Sequence, residues 1–340
     1  MSKKIKCLVW DLDNTLWNGT LLENDDVKLK DGIKDIIKEL DRRGILLSIA
    51  SKNEYDHAYK KLESFGISEY FIYPQICWNN KSKSIKAIAD ALNIGIDTFA
   101  FIDDQPSELE EVRFTLPEVL TLSADEYKNI LNMERFTPTY ITEDSKLRRQ
   151  MYIDDLQRKA NEESFEGPNE EFLKTLDMTL TISPVKKGDL ERVEELTVRT
   201  NQLNSTGTTY SFEQLESFID SENHIFLITS LKDKFGSYGK MGLILLEETE
   251  NTIEIKMLLM SCRVMTKGIG SALLIYIANL AAEKGKKLIA DFVDTGKNRI
   301  MYITYKLMGF EEIETYDNKS VLAYNGGKKD FPDYLKIQCN

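Results

Sequence analysis

Through residues 1–125, short apolar runs alternate with amphipathic stretches, and two of the runs end in paired aspartates. This alternation limits the possible folds more than any other feature of the chain. Ile5 to Trp10 and Thr98 to Ile102 read as buried strands, leading into Asp11-Leu12-Asp13-Asn14-Thr15 and into Asp103-Asp104. Between them, Ile33, Ile36, Ile37 and Leu40 mark one face of a helix ended near Gly44. Ile45 to Ser51 predicts a second strand, and Ala58, Leu62 and Phe65 a helix ended by Gly66. A short strand is expected to begin at Phe71 to Tyr73, and a helix spans Ser84 to Leu92. Such β-α alternation predicts a mostly parallel, doubly wound α/β sheet with right-handed crossovers. Open sheets of this kind keep their sites at the carboxyl ends of the strands, where the aspartates fall.

Asp11 and Asp13 stand about 6–7 Å apart on one side of an extended chain. Carboxylates crowded together repel one another unless a hard cation sits among them, so Asp11, Asp13, Asp103 and Asp104 call for Mg2+. An ionised aspartate is a usable nucleophile at neutral pH, which points to phosphoryl chemistry. Asp11 is placed to attack phosphorus; Asp13 is placed to protonate the leaving oxygen and then take a proton from water. Thr15 adds a hydroxyl and a loop amide for phosphate oxygens, and Ser51, ending the second strand, adds another donor. Lys81 would neutralise charge developing on the transferred group. Ser51 also reads as a helix cap, and Asp104 as a cap or a group behind the ligands. Trp10 and Trp17 read as packing residues. The ordered set of a DxDxT segment, a strand-terminal serine, a lysine and an Asp-Asp pair resembles the haloacid dehalogenase superfamily.

At 340 residues the chain is long enough for two domains. Its formal charge of -12 argues against nucleic acid as the main partner. No apolar run reaches the roughly 18–20 residues that span a bilayer, so no membrane partner is expected. The lysines at the start are followed by too short an apolar run for a signal peptide, and a cytoplasmic location is expected. Cys7, Cys77, Cys262 and Cys339 lack the spacing of a disulfide framework or zinc site, and two histidines are too few for a multi-histidine centre.

The pattern divides the chain into 1–125, a charged helical connector at 126–178, and a second domain at 179–340. The second domain starts with strand-like Leu180-Thr181-Ile182 and a helix from Gly188 to Thr200. A hairpin follows, Lys240 to Leu246 and Thr252 to Ser261, turned at Glu250-Asn251. Gly268-Ile269-Gly270 then opens a long apolar helix to Glu283, and Leu288 to Val293 reads as a strand. Backbone amides at such a helix start form a phosphate cradle. With Thr295-Gly296-Lys297-Asn298 and Tyr305 to Phe310 after it, this succession resembles the acyltransferase-like GNAT fold over about residues 180–325. That resemblance implies a mixed α/β domain holding a pantetheine arm between two splayed strands, with Gly268, Gly270 and Asn298 in the substrate site. Met265 stands where acetyl-CoA-binding members usually carry Arg or Gln, and Thr266 replaces a frequent glycine. Cys262, at the end of the strand leading into the cradle, is placed for thioester exchange; it also reads as a small buried hydrophobe.

The combination resembles the FkbH-like family of two-domain proteins. The cues are Trp10 through Trp17, Ser51-Lys52-Asn53, Trp78 through Ser82, Leu92 through Gly95, and Phe101 through Pro106. In the second domain they are Thr200 through Asn204, Asp233 through Gly236, and Ser261-Cys262-Arg263-Val264. The resemblance implies a glyceryl transferase that dephosphorylates D-1,3-bisphosphoglycerate and loads the glyceryl unit onto an acyl carrier protein thiol. It implies substrate contacts from Ser51, Lys52 and Asn53, and catalysis by Asp11, Asp13, Lys81 and Cys262. Leu109 and Asn18 depart from the family's usual arginine and glycine. Carrier proteins are generally acidic, so docking is expected on basic residues, with Lys267, Lys284, Lys286 and Lys287 as candidates. A plain Mg2+-dependent phosphatase with a degenerate second domain is the alternative.

Overall fold

The computed structural model describes residues 3–340. By its internal contacts the chain divides into two units, the first ending at Gln157 and the second starting at Arg158. In the first unit five strands run in the order Gln75–Ile76, Leu46–Ser51, Cys7–Trp10, Phe99–Asp103, Leu120–Ser123. Every neighbouring pair is parallel, as the β-α alternation requires. Side chains alternate across a strand, so Leu8 and Trp10 enter one core with Ile33, Ile37 and Leu40. Cys7 and Val9 enter the opposite core with Ile85, Ile88 and Phe101. Both faces are covered, which explains why these strands read as continuous apolar runs.

Some local expectations shift. Phe71 makes only an isolated parallel bridge to Leu47, and Tyr73 takes a left-handed φ of 48°, so the strand comes later, at Gln75–Ile76. The following helix starts at Lys81 rather than Ser84, and this brings the lysine into its first turn. The expected connector at 126–178 is not a separate segment. Ala124–Asn132 forms a 3-10 helix opened by a Ser123/Glu126 capping box. Tyr127, Ile130 and Phe136 then pack into the first unit's core. The division falls inside the helix Arg148–Glu163.

The second unit is a mixed α/β layer built on eight strands. Their order is Phe310–Tyr316, Lys319–Tyr324, Lys287–Val293, Thr252–Met260, Gly236–Glu248, His224–Asp233, Met178–Pro184, Leu335–Cys339. Two neighbouring pairs are parallel, Thr252–Met260 with Lys287–Val293 and Met178–Pro184 with Leu335–Cys339. Helix Ile269–Glu283 packs Ala272, Leu273, Ile277 and Ala281 into this unit's larger core. The strand His224–Asp233 carries the apolar run Ile225-Phe226-Leu227-Ile228 and Lys319–Tyr324 carries Val321-Leu322-Ala323-Tyr324, while Phe310–Tyr316 and Leu335–Cys339 hold only scattered apolar residues. Apolar runs as short as these do not distinguish a strand from a buried helix segment, and periodicity alone does not assign them.

Candidate active site

The sheet register builds the first site. Trp10 lies beside Ile102 on one side and Ile49 on the other. Three strand ends therefore meet, and they deliver Asp11, Asp103 and Ser51 to one edge. Asp11 extends its strand by one residue, its amide donating to the Ile102 carbonyl at 3.0 Å. Oxygens of Asp11, Asp103 and Asp104 lie within 4.8 Å of one another. Lys81 reaches in from the neighbouring helix. Its Nζ lies 2.5 Å from Asp11 Oδ1 and 2.9 Å from Asp103 Oδ2, and donates to the Ala50 carbonyl at 2.9 Å. Its side chain is 4% exposed, so an ammonium without these acceptors would be costly there.

The electrostatics show that positive charge is still wanted. Burial, then the neighbouring Asp11, push the Asp103 carboxyl up to about 6, against the pull of Lys81. Asp104 is raised by the same two causes in the same order. Burial alone would lower the Lys81 ammonium, but Asp11 and Asp103 outweigh it and hold it above its ordinary value. Asp103 Oδ2 is enclosed, with the Lys81 ammonium 2.9 Å away. Three hard oxygen donors, Asp11, Asp103 and Asp104, gathered around a single ammonium fit a divalent cation of the Mg2+ kind.

A pH dependence follows. A raised carboxyl holds its proton to higher pH, and a ligand must shed its proton to bind metal. Mg2+ affinity is therefore expected to be flat above pH 7 and to fall about tenfold per unit once pH drops below 6. Calorimetric Mg2+ titrations from pH 8 to 5 check this; equal affinity at both ends would contradict it.

Asp13 stands outside the three-carboxylate group, which corrects the expectation that its carboxylate is a metal ligand. Its Oδ1 accepts from Trp17 Nε1 at 2.8 Å and from the Leu21 amide at 3.0 Å, and its Oδ2 accepts from Asn53 Nδ2 at 3.0 Å. Burial raises its carboxyl in spite of the Leu21 and Trp17 hydrogen bonds, which suits a proton donor. Trp17 is thus more than packing, since its indole aims Asp13; the i to i+4 spacing was the available signal. Thr15 is fully buried, and its Oγ1 has no hydrogen-bond partner among the described residues. Ser51 is buried at its strand end, where its carbonyl accepts from the Cys77 amide at 2.9 Å. Lys52 pairs with Glu108 at 2.6 Å.

In the second unit the expected groove is closed by the chain itself. Strand Thr252–Met260 pairs with Lys287–Val293 only from Thr252 to Ile255. Beyond that point residues 203–205 take the free edge. The Ser205 amide donates to the Leu258 carbonyl at 2.9 Å, Met260 to Leu203 at 2.9 Å, and Val293 to Ser205 at 3.0 Å. Asn298 belongs to this closure rather than to a substrate site. It is fully buried, its Nδ2 donating to the Asn204 and Val293 carbonyls at 2.8 Å each, and its Oδ1 accepting from the Thr295 amide. Gly268, with φ of 70°, begins the helix, but a Cβ there would lie 2.2 Å from the Tyr334 hydroxyl. Tyr334 thus packs against the first glycine of the expected cradle, on the side where a Cβ would point. Gly270 allows close packing against Thr304 and Met260. Cys262 is half-buried and opens the short turn Cys262–Val264. Three of the four expected docking lysines are engaged inside the unit: Lys267 with Glu162, and Lys284 and Lys286 with Glu248.

Residues 16–112 match the family model described as haloacid dehalogenase-like hydrolase. The human Magnesium-dependent phosphatase 1 is 25% identical over 131 residues, 33% of this chain and 74% of that protein. Among solved structures, one is the N-terminal part of BF1531 from Bacteroides fragilis, containing a phosphatase domain complexed with Mg. It is 26% identical over 41% of this chain and 42% of that chain, with a TM-score of 0.36, so less than half of that chain is spanned. The Escherichia coli ribosomal-protein-S18-alanine N-acetyltransferase is 15% identical over 44% of this chain and 96% of its own, with a TM-score of 0.35. The first unit thus contains a haloacid dehalogenase-like domain, with Asp103 and Lys81 inside the matched residues and Asp11 and Asp13 just before them.

Proposed function

We propose that the chain is a Mg2+-dependent phosphatase of the haloacid dehalogenase type that also loads a glyceryl unit onto an acyl carrier protein. The observation that carries the phosphoryl chemistry is the cluster of Asp11, Asp103 and Asp104 around the buried Lys81. Asp11 Oδ attacks phosphorus, and the bond to the leaving oxygen breaks as Asp13 protonates it. Asp13 then takes a proton from the water that hydrolyses the aspartyl-phosphate, which restores both residues. Lys81 balances charge on the transferred group, and Thr15 and Ser51 offer hydroxyls to its oxygens. A bound Mg2+, held by Asp11, Asp103 and Asp104, supplies further neutralisation of phosphoryl charge.

The glyceryl step rests on the FkbH-like motifs of both domains. In D-1,3-bisphosphoglycerate one phosphate is an acyl phosphate, already activated. A thiolate, from Cys262 or from the carrier's phosphopantetheine arm, adds to the acyl carbon and expels phosphate, forming a thioester. The other phosphate is the ester that Asp11 removes. The closure by residues 203–205 favours the alternative, a phosphatase whose second unit takes no pantetheine. Intact-mass analysis separates the two. With bisphosphoglycerate, Mg2+ and holo carrier, the transferase reading expects a glyceryl adduct on the carrier; Cys262→Ser reduces it at least tenfold if the acyl unit passes through Cys262 and leaves it unchanged if the carrier thiol attacks directly. Phosphate release that ignores both the carrier and Cys262→Ser would leave the phosphatase alone.

A further inference from the structure

We propose that Glu111 is a positioning residue for Lys81, an inference that rests on the phosphoryl-transfer reading of this site. Lys81 is the first residue of the helix Lys81–Leu92. First-turn amides of a helix lack intrahelical acceptors, and Asn80 at the cap position makes no side-chain cap hydrogen bond. Glu111 supplies the acceptor from a different helix, Pro106–Thr115. Its Oε2 accepts from the Ser82 amide at 3.1 Å and its Oε1 from Ser82 Oγ at 2.5 Å. A carboxylate there also meets the positive end of the helix dipole.

The helix that carries Glu111 begins two residues after Asp104. Glu108, one turn earlier on it, pairs with Lys52 beside Ser51. One helix growing out of the carboxylate loop therefore grips the segments that bring Lys81 and Ser51 to the site. Glu111 has no contact with the reacting atoms. It acts through Ser82, which fixes where the backbone of Lys81 starts. Lys81 Nζ must meet three acceptors at 2.5, 2.9 and 2.9 Å at once, so its starting point tolerates little slip. Misplacement of a catalytic group by about 1 Å costs on the order of a hundredfold in rate.

Two readouts test this. The first is turnover of p-nitrophenyl phosphate with Mg2+. Glu111→Ala is expected to lower kcat about 10- to 100-fold with KM little changed. Glu111→Gln, which can keep both contacts to Ser82, restores most of the rate, and Ser82→Ala falls between. In a Lys81→Ala background, Glu111→Ala adds no further loss, because its effect runs through the lysine. The second readout needs no turnover: brief acylation of surface amines followed by peptide mass analysis. Lys81 is expected to be protected in the native protein and in Glu111→Gln, and labelled in Glu111→Ala. Equal labelling of Lys81 in the native protein and Glu111→Ala overturns the inference, and so does an undiminished loss in the Lys81→Ala background. An inactive native protein that still shows the labelling difference sinks the catalytic reading and upholds the positioning role.

Discussion

Asp11→Asn is expected to reduce phosphate release at least about 10,000-fold, the scale on which removing a nucleophile acts. The amide matches the carboxylate in size, so strand pairing and the Ile102 contact should survive. What disappears is the negative oxygen that attacks phosphorus, together with one of three charged donors at the cation site. Mg2+ affinity should therefore fall as well, and saturating Mg2+ should not rescue turnover. Phosphate release at saturating Mg2+, alongside circular dichroism to confirm the fold, reads both effects. A variant retaining even a tenth of native activity would show that attack comes from elsewhere.

Lys81→Met is expected to strike stability and turnover together. The ammonium is the positive charge shared by buried Asp11 and Asp103, and breaking such a pairing costs on the order of 3–5 kcal/mol. The deficit has a direction in pH. Burial and Asp11 already raise Asp103 in the native protein, and losing Lys81 removes a charge that pulls it back down. A carboxyl raised in the folded state favours folding below its unfolded value and disfavours it as pH climbs through the folded one. The melting deficit of Lys81→Met should thus be greatest near pH 8 and should shrink as pH falls below 6. Mg2+ should recover part of the deficit by binding only the folded state. Turnover should stay about 100- to 1,000-fold low even with Mg2+, because no cation occupies the lysine's place beside the transferred group. Melting curves across pH, with and without Mg2+, test the claim, and native-like melting at pH 8 in metal-free buffer would refute it.

The meeting of Asp11, Lys81, Asp103 and Asp104 was legible because each sits at a strand end or a helix start in a β-α series. Period-2 burial and parallel pairing bring those ends to one edge whatever the loops do. Ser51 was placed at the end of its strand by the same logic. The division of the chain was less legible: Tyr127, Ile130 and Phe136 look like connector residues until the core that receives them is known.

Local pattern in the chain thus determined the parallel sheet and the edge on which Asp11, Asp103 and Asp104 gather. Asp13 is held by local partners, Trp17 and Leu21, and by Asn53, forty residues away, which only folding brings to it. Folding also decided that residues 203–205 close the groove, that Asn298 serves that closure, and that Tyr334 packs against Gly268. The physical reason lies in range. Strand and helix periodicity are carried by neighbours within a few residues. Edge pairing, side-chain partners and close approach depend on which distant segments fold back, and no local spacing encodes that.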